Sequence, residues 1–230
     1  MRIIAEKNEK KWKPMNDVQW KCGRSAKELF KYANSPEFKE HIPKIINECV
    51  NINDEIEYIE LPEQSLPLGK GMKKGGLRKT DLLLRSNEPN VYIEAKVSEP
   101  FGEPINKIIA KNGGQADRAK VLLDFLCPNH KAEAKEYGIG YQLFTATRSA
   151  IWDARSIGRC IVLIIVFEGN IEHGSNYKNN CEKNEKDFEH FLEVVEADSD
   201  GKIEKTIENS TVTCWIKKIR VNIGNTYTIL

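Results

Sequence analysis

Seven consecutive apolar residues, Ile161 to Phe167, place the tightest constraint on how this 230-residue chain folds. The run is too short to cross a bilayer, which takes about 20 residues in a helix. It has no polar face, so it reads as a central strand, Cys160 to Phe167, covered on both sides. The rest of the sequence supplies the cover. Ser25-Ala26-Lys27-Glu28 is a capping-box pattern opening a helix, and a second helical stretch runs from about Glu37 to Val50. Gln115 to Leu126 reads as a helix with Ala119, Leu122, Leu123 and Leu126 on its inner face. Ile56 to Leu61 alternates as a strand, Gln142 to Thr147 reads as another, and Ser149 caps a short helix to about Ile157. Further on, Gly169 to Glu185 has the composition of a polar surface loop. Phe188, Phe191, Leu192 and Val195 mark an amphipathic helix, and a hairpin is expected around Glu208-Asn209-Ser210. The expectation is one α/β domain over residues 1–230, a central mixed sheet flanked by helices. Residues 1–22, with Trp12 and Trp20 as packing anchors, form an N-terminal extension, and residues 170–230 add to the core.

Two further strand-like runs carry the chemistry. Thr80-Asp81-Leu82-Leu83-Leu84-Arg85 is followed, after a polar turn, by Val91-Tyr92-Ile93-Glu94-Ala95-Lys96-Val97. In the second run apolar and polar residues alternate, so Glu94 and Lys96 share one face. Antiparallel pairing about the turn near Asn87 and Glu88 puts Asp81 opposite position 94 or 95, and a pairing that sums to 175 sets it across from Glu94, at the ~5 Å separation of cross-strand neighbours. Two carboxylates that close repel unless one is protonated or a cation lies between them. Mg²⁺ (or Mn²⁺) suits such a pair, because hard divalent ions take oxygen ligands. Lys96 beside it is placed to orient a water or to stabilise charge on a phosphoryl oxygen. On spacing alone the plain alternative stays open: a solvated hairpin face with an ion pair among Asp81, Glu94 and Lys96.

An Asp, a strand-length gap and Glu-x-Lys resemble the PD-(D/E)XK nuclease superfamily. A wider set of pieces resembles a little-characterised bacterial family within it: Ser25-Ala26, Pro62-Glu63, Thr80-Asp81-Leu82, Glu94-Ala95-Lys96-Val97, Glu99-Pro100-Phe101-Gly102, Tyr141-Gln142-Leu143 and Ser149-Ala150, in that order. The pattern departs after Leu143, where Thr145-Ala146 stand in place of the family's His-Arg. The resemblance implies a restriction-endonuclease-like core of αβββαβ order and a Mg²⁺-dependent endonuclease acting on DNA, by analogy in restriction or phage defence. Asp81, Glu94 and the carbonyl of Ala95 would hold the metal, with Lys96 completing the catalytic set. Glu63, Glu99, Gln115, Arg118 and Gln142 are candidate accessory residues.

Net charge is only +1, so the chain is not a globally basic nucleic-acid binder. The positive charge is local: Lys70, Lys73, Lys74, Arg78 and Lys79 punctuate a glycine-rich stretch leading into Asp81, where they could grip a phosphate backbone. This stretch is no P-loop, since Leu77 stands where Lys must follow the second glycine. The four histidines have no zinc-site spacing with the cysteines, and no Gly-x-Ser-x-Gly turn is present. Six scattered cysteines without a Cys-x-x-Cys, and a charged start without a leader, point to a reducing cytoplasm. The expected partner is DNA, with a homodimer or a partner protein expected alongside it and no membrane.

Overall fold

In the computed structural model, which describes residues 1–4, 9–12, 25–51, 56–72, 76–97, 99–111, 113–169, 177–224 and 226–230, mixed pairing joins the strands into one sheet. The chain begins with a short strand, β1 (Arg2–Ile4), and three helices, α1 (Glu9–Trp12), α2 (Ser25–Ala33) and α3 (Pro36–Cys49). An antiparallel meander follows: β2 (Glu57–Pro67), β3 (Leu77–Arg85) and β4 (Asn90–Lys96). Four helices cross over the sheet, α4 (Ile105–Ala110), α5 (Gly114–Leu126), α6 (Lys131–Glu136) and α7 (Tyr141–Asp153). They lead to β5 (Arg159–Gly169), which lies parallel to β4. Then come α8 (Tyr177–Val194), β6 (Lys202–Ile207), β7 (Ser210–Ile223) and β8 (Tyr227–Ile229). The strand order is β1-β2-β3-β4-β5-β7-β6, with β8 on β7.

The apolar run behaves as its composition demands. Along β5, Val162, Ile164 and Val166 enter the core beneath α5, α7 and α8. Ile161, Leu163, Ile165 and Phe167 enter the opposite core with residues of α2 and α3, such as Leu29, Tyr32 and Ile42. Trp12 is buried there too, edge-on to Phe30 with ring centres 5.6 Å apart. Trp20 lies outside the described residues.

Three expectations need correction. Gln142 to Thr147 is not a strand, and Ser149 does not cap a helix: both belong to α7, which runs unbroken for 13 residues. Every residue from Leu143 to Trp152 is buried, so the polar–apolar rhythm that reveals a helix is missing. Thr145 and Thr147 then imitate a strand by their β-branching. The Ser149 hydroxyl, expected at a helix start, donates instead to the Ala146 carbonyl one turn back (3.0 Å). Third, the polar stretch 169–185 is not all loop, since α8 begins at Tyr177. No helix among the described residues is long and apolar enough to cross a membrane.

Candidate functional site

The cleft exists because β3 parts from β4. The two strands pair as Leu82↔Ile93, Leu83↔Tyr92 and Leu84↔Val91, one of the two registers expected, and the ladder stops one step short of Asp81 and Glu94. Side chains take over the backbone's hydrogen bonds at that point. Asp81 Oδ2 accepts from the Ala95 N–H at 2.8 Å, and the Thr80 hydroxyl donates to the Ile93 carbonyl at 3.1 Å. Meanwhile β3 keeps its pairing with β2 out to Leu77↔Pro67, so the β2–β3 hairpin swings away as a unit. The opening is a cleft of about 260 Å³ floored by Asp81, Glu94 and Lys96 and walled by Arg118 of α5 and Tyr141, Gln142 and Thr145 of α7.

Two carboxylates, Asp81 and Glu94, lie on its floor, and Glu63 stands on the neighbouring strand outside the lining. Pro62↔Leu82 and Gln64↔Thr80 flank Glu63, which therefore stands level with Asp81 on the neighbouring strand. Its backbone takes the left-handed conformation at φ 53°, a costly state for a non-glycine residue. Glu63, Asp81 and Glu94 thus form a row across β2, β3 and β4. Burial, then the charge of Glu94, pushes the Asp81 carboxyl up to about 7, against the pull of Lys96, the Ala95 N–H and Arg78. Burial also raises Glu63, with a further push from Glu94, and Lys79, whose Nζ lies 3.4 Å from Glu63 Oε2, does not offset it.

Each cation has a defined place. Lys96 is buried on the cleft floor. Glu99 stands behind it: burial opposes its charge, but Lys96, the Ser25 hydroxyl and the Val97 N–H (2.7 Å to Oε2) together hold its carboxyl below the usual range. Arg78, counted among the phosphate-gripping cations, turns inward instead. Its Nη1 lies 2.5 Å from Glu94 Oε1 and its Nε donates to Thr145 Oγ1 at 2.9 Å. Lys79 is exposed at the rim of the same cleft. Lys70 is exposed and pairs with Glu208 at 2.5 Å, away from the cleft lining. Lys73 and Lys74 lie outside the described residues. Gln115, on the first turn of α5, is exposed and not among the lining residues.

The donor set fits a small hard cation. Asp81, Glu94 and the Ala95 carbonyl offer only oxygens, and Mg²⁺ is commonly held by one or two carboxylates, with waters and substrate oxygens completing its shell. Among the described residues, no group of three or more Asp, Glu, His or Cys is placed to hold a metal ion, so any ion here would rest on two carboxylates and the carbonyl. Two polar cleft residues escaped the sequence reading as site members, Tyr141 and Thr145. Tyr141 sits beside Gln142 and shares its helix turn, a signal that reading Gln142 as part of a strand concealed.

Residues 5–222 match the family described as Domain of unknown function (DUF6946). Comparison with curated proteins and with solved structures finds no match.

Proposed function

The chain belongs to the DUF6946 family, and we propose that it is a metal-dependent nuclease hydrolysing phosphodiester bonds in DNA. The observation that carries this reading is the meeting of Asp81, Glu94 and buried Lys96 on the floor of an open cleft. Burial and the charge of Glu94 push the Asp81 carboxyl up to about 7, and a bound cation would favour its ionised form. The antiparallel β2–β3–β4 meander, with β5 returning parallel to β4 after a helical crossover, accords with a restriction-endonuclease-like core.

Asp81, Glu94 and the Ala95 carbonyl would hold Mg²⁺. When bound, the ion supplies Lewis-acid stabilisation of charge on the phosphoryl group and on the leaving oxygen. Lys96 orients the attacking water and stabilises negative charge from beneath. Glu99 keeps the Lys96 ammonium in place from behind. Arg118 and Gln142 face the cleft from the helical wall, where they meet the strand being cut, and Lys79 at the rim meets a flanking phosphate. Restriction or phage defence is the setting proposed for this activity, by analogy alone.

A second reading is a scaffold of the same fold without catalysis, or one that requires a partner protein. The Arg78–Glu94 pair favours it, because a resident guanidinium neutralises one of the metal's carboxylates. The test is incubation of the pure protein with plasmid, single-stranded DNA and RNA, with and without Mg²⁺. Cleavage of DNA that requires Mg²⁺ and disappears in Asp81→Ala is expected. An Asp81→Ala protein that cuts at the wild-type rate ends the assignment.

A further inference from the structure

We infer that Arg78 is an internal stand-in for the metal: its guanidinium occupies Glu94 when no divalent ion is bound, and gives it up when one arrives. The inference rests on the reading of Asp81 and Glu94 as metal ligands and adds a residue whose charge sets how tightly the ion is held.

The geometry is specific. Glu94 is 4% exposed, so its carboxylate has little water to solvate it. A buried carboxylate needs a partner, and the Arg78 side chain, itself only 10% exposed, supplies one through Nη1 at 2.5 Å. Arg78 cannot be an incidental surface pairing, because its Nε is separately fixed by Thr145 Oγ1, which also donates to the Gln142 carbonyl at 3.1 Å. The guanidinium is therefore held by α7 while it reaches across the cleft to β4. A divalent ion on Glu94 would meet a unit positive charge within hydrogen-bonding range of the same oxygen. The two cations compete, and binding of one must weaken the hold of the other by the same factor. The anchor on Thr145 gives Arg78 a place to remain once Nη1 is displaced.

The contrast with the second crevice on this sheet face supports the assignment. There Glu185 pairs with both Lys218 and Arg220, two cations on one carboxylate. At Glu94 a single arginine faces a carboxylate whose neighbours, Asp81 and Glu63, are also acidic.

The experiment is Mn²⁺ titration followed by the paramagnetic resonance signal of free Mn²⁺, on wild type, Arg78→Met, Arg78→Lys, Thr145→Val and Asp81→Ala, without any nucleic acid. Arg78→Met should bind Mn²⁺ about fivefold tighter or more, within the usual range of coupling between two sites. Arg78→Lys, which keeps the charge, should stay between wild type and Arg78→Met. Thr145→Val loosens the anchor without removing charge and should also tighten binding, to a smaller degree. It carries the test if Arg78→Met does not fold. Equal or weaker Mn²⁺ binding in Arg78→Met, or in Thr145→Val when that variant stands in for it, overturns the inference while leaving the metal site intact. Failure of wild type and every Arg78 and Thr145 variant to bind Mn²⁺, or unchanged binding in Asp81→Ala, overturns the metal-site reading and this inference with it.

Discussion

Two charged crevices open on the same face of the sheet, one strand apart, and they settle their charges in opposite ways. Lys96 of the β4 cleft pairs in register with Val166, which lines the second crevice between β5, β7 and α8. That second crevice, about 370 Å³, is the larger of the two. Its central carboxylate has two cations: Glu185 holds both Lys218 and Arg220 (2.8 Å), and Arg220 Nε also lies 3.6 Å from Glu168. Burial works against the Glu185 charge, but hydrogen bonds from Lys218 and Arg220 overcome it and keep its carboxyl below the usual range. In the β4 cleft the balance reverses, and Asp81 is driven up to about 7. Size and net charge do not separate a site from a crevice. The difference lies at Asp81, whose buried carboxyl accepts from a backbone N–H at 2.8 Å, where Glu185 has two cations within ion-pair range.

Substitutions in matched pairs sharpen that difference. The largest effect should fall on catalysis: Lys96→Ala is expected to slow Mg²⁺-dependent DNA cleavage about 100-fold or more, the scale on which one charge-stabilising donor is lost. Glu185→Gln should stay within about twofold of wild type, since Glu185 lines the second crevice and not the β4 cleft. Next in size is the response to metal. At about 100 times its dissociation constant, Mn²⁺ adds about 2.7 kcal/mol to stability. In a chain of this length that raises Tm by about 5–10 °C in a thermal melt. The rise should vanish in Asp81→Ala and persist in Glu185→Gln.

The smallest effect is a pair of opposed pH slopes in EDTA. A carboxyl raised on folding contributes stability below its unfolded value near 4 and loses it as pH climbs through its folded value. For Asp81 that window closes at about 7, so Asp81→Asn should gain in Tm relative to wild type between pH 4 and 7. Glu185, lowered on folding, contributes above its unfolded value and loses that contribution in acid. Glu185→Gln should therefore melt below wild type at pH 7 and converge with it in acid. Parallel slopes in the two variants would break the comparison.

Where one side of an element faces the core and the other does not, the chain was readable. The turn near Asn87 and Glu88 narrowed the β3–β4 register to two options, one of them the observed pairing, and the two-sided burial of β5 followed from its unbroken apolar run. Asp81, Glu94 and Lys96 were found because local pairing alone brings them together. Legibility failed where burial is complete or where distant elements meet. Helix α7 lost its periodicity to burial on all sides, and with it went the view of Tyr141 and Thr145 as cleft residues. Arg78 looked like one more loop cation, since nothing local tells it to leave its basic neighbours and bond Thr145, 67 positions away. Glu63 was visible as a motif residue, but not its left-handed backbone or its place level with Asp81.

Calorimetric titration of Mn²⁺ into the wild-type protein, set beside the Asp81→Ala/Glu94→Ala double variant, tests the claim on which the rest depends. A single saturable site in wild type that is lost in the double variant is the predicted result. A flat isotherm for wild type, or the same binding curve for both proteins, would contradict it.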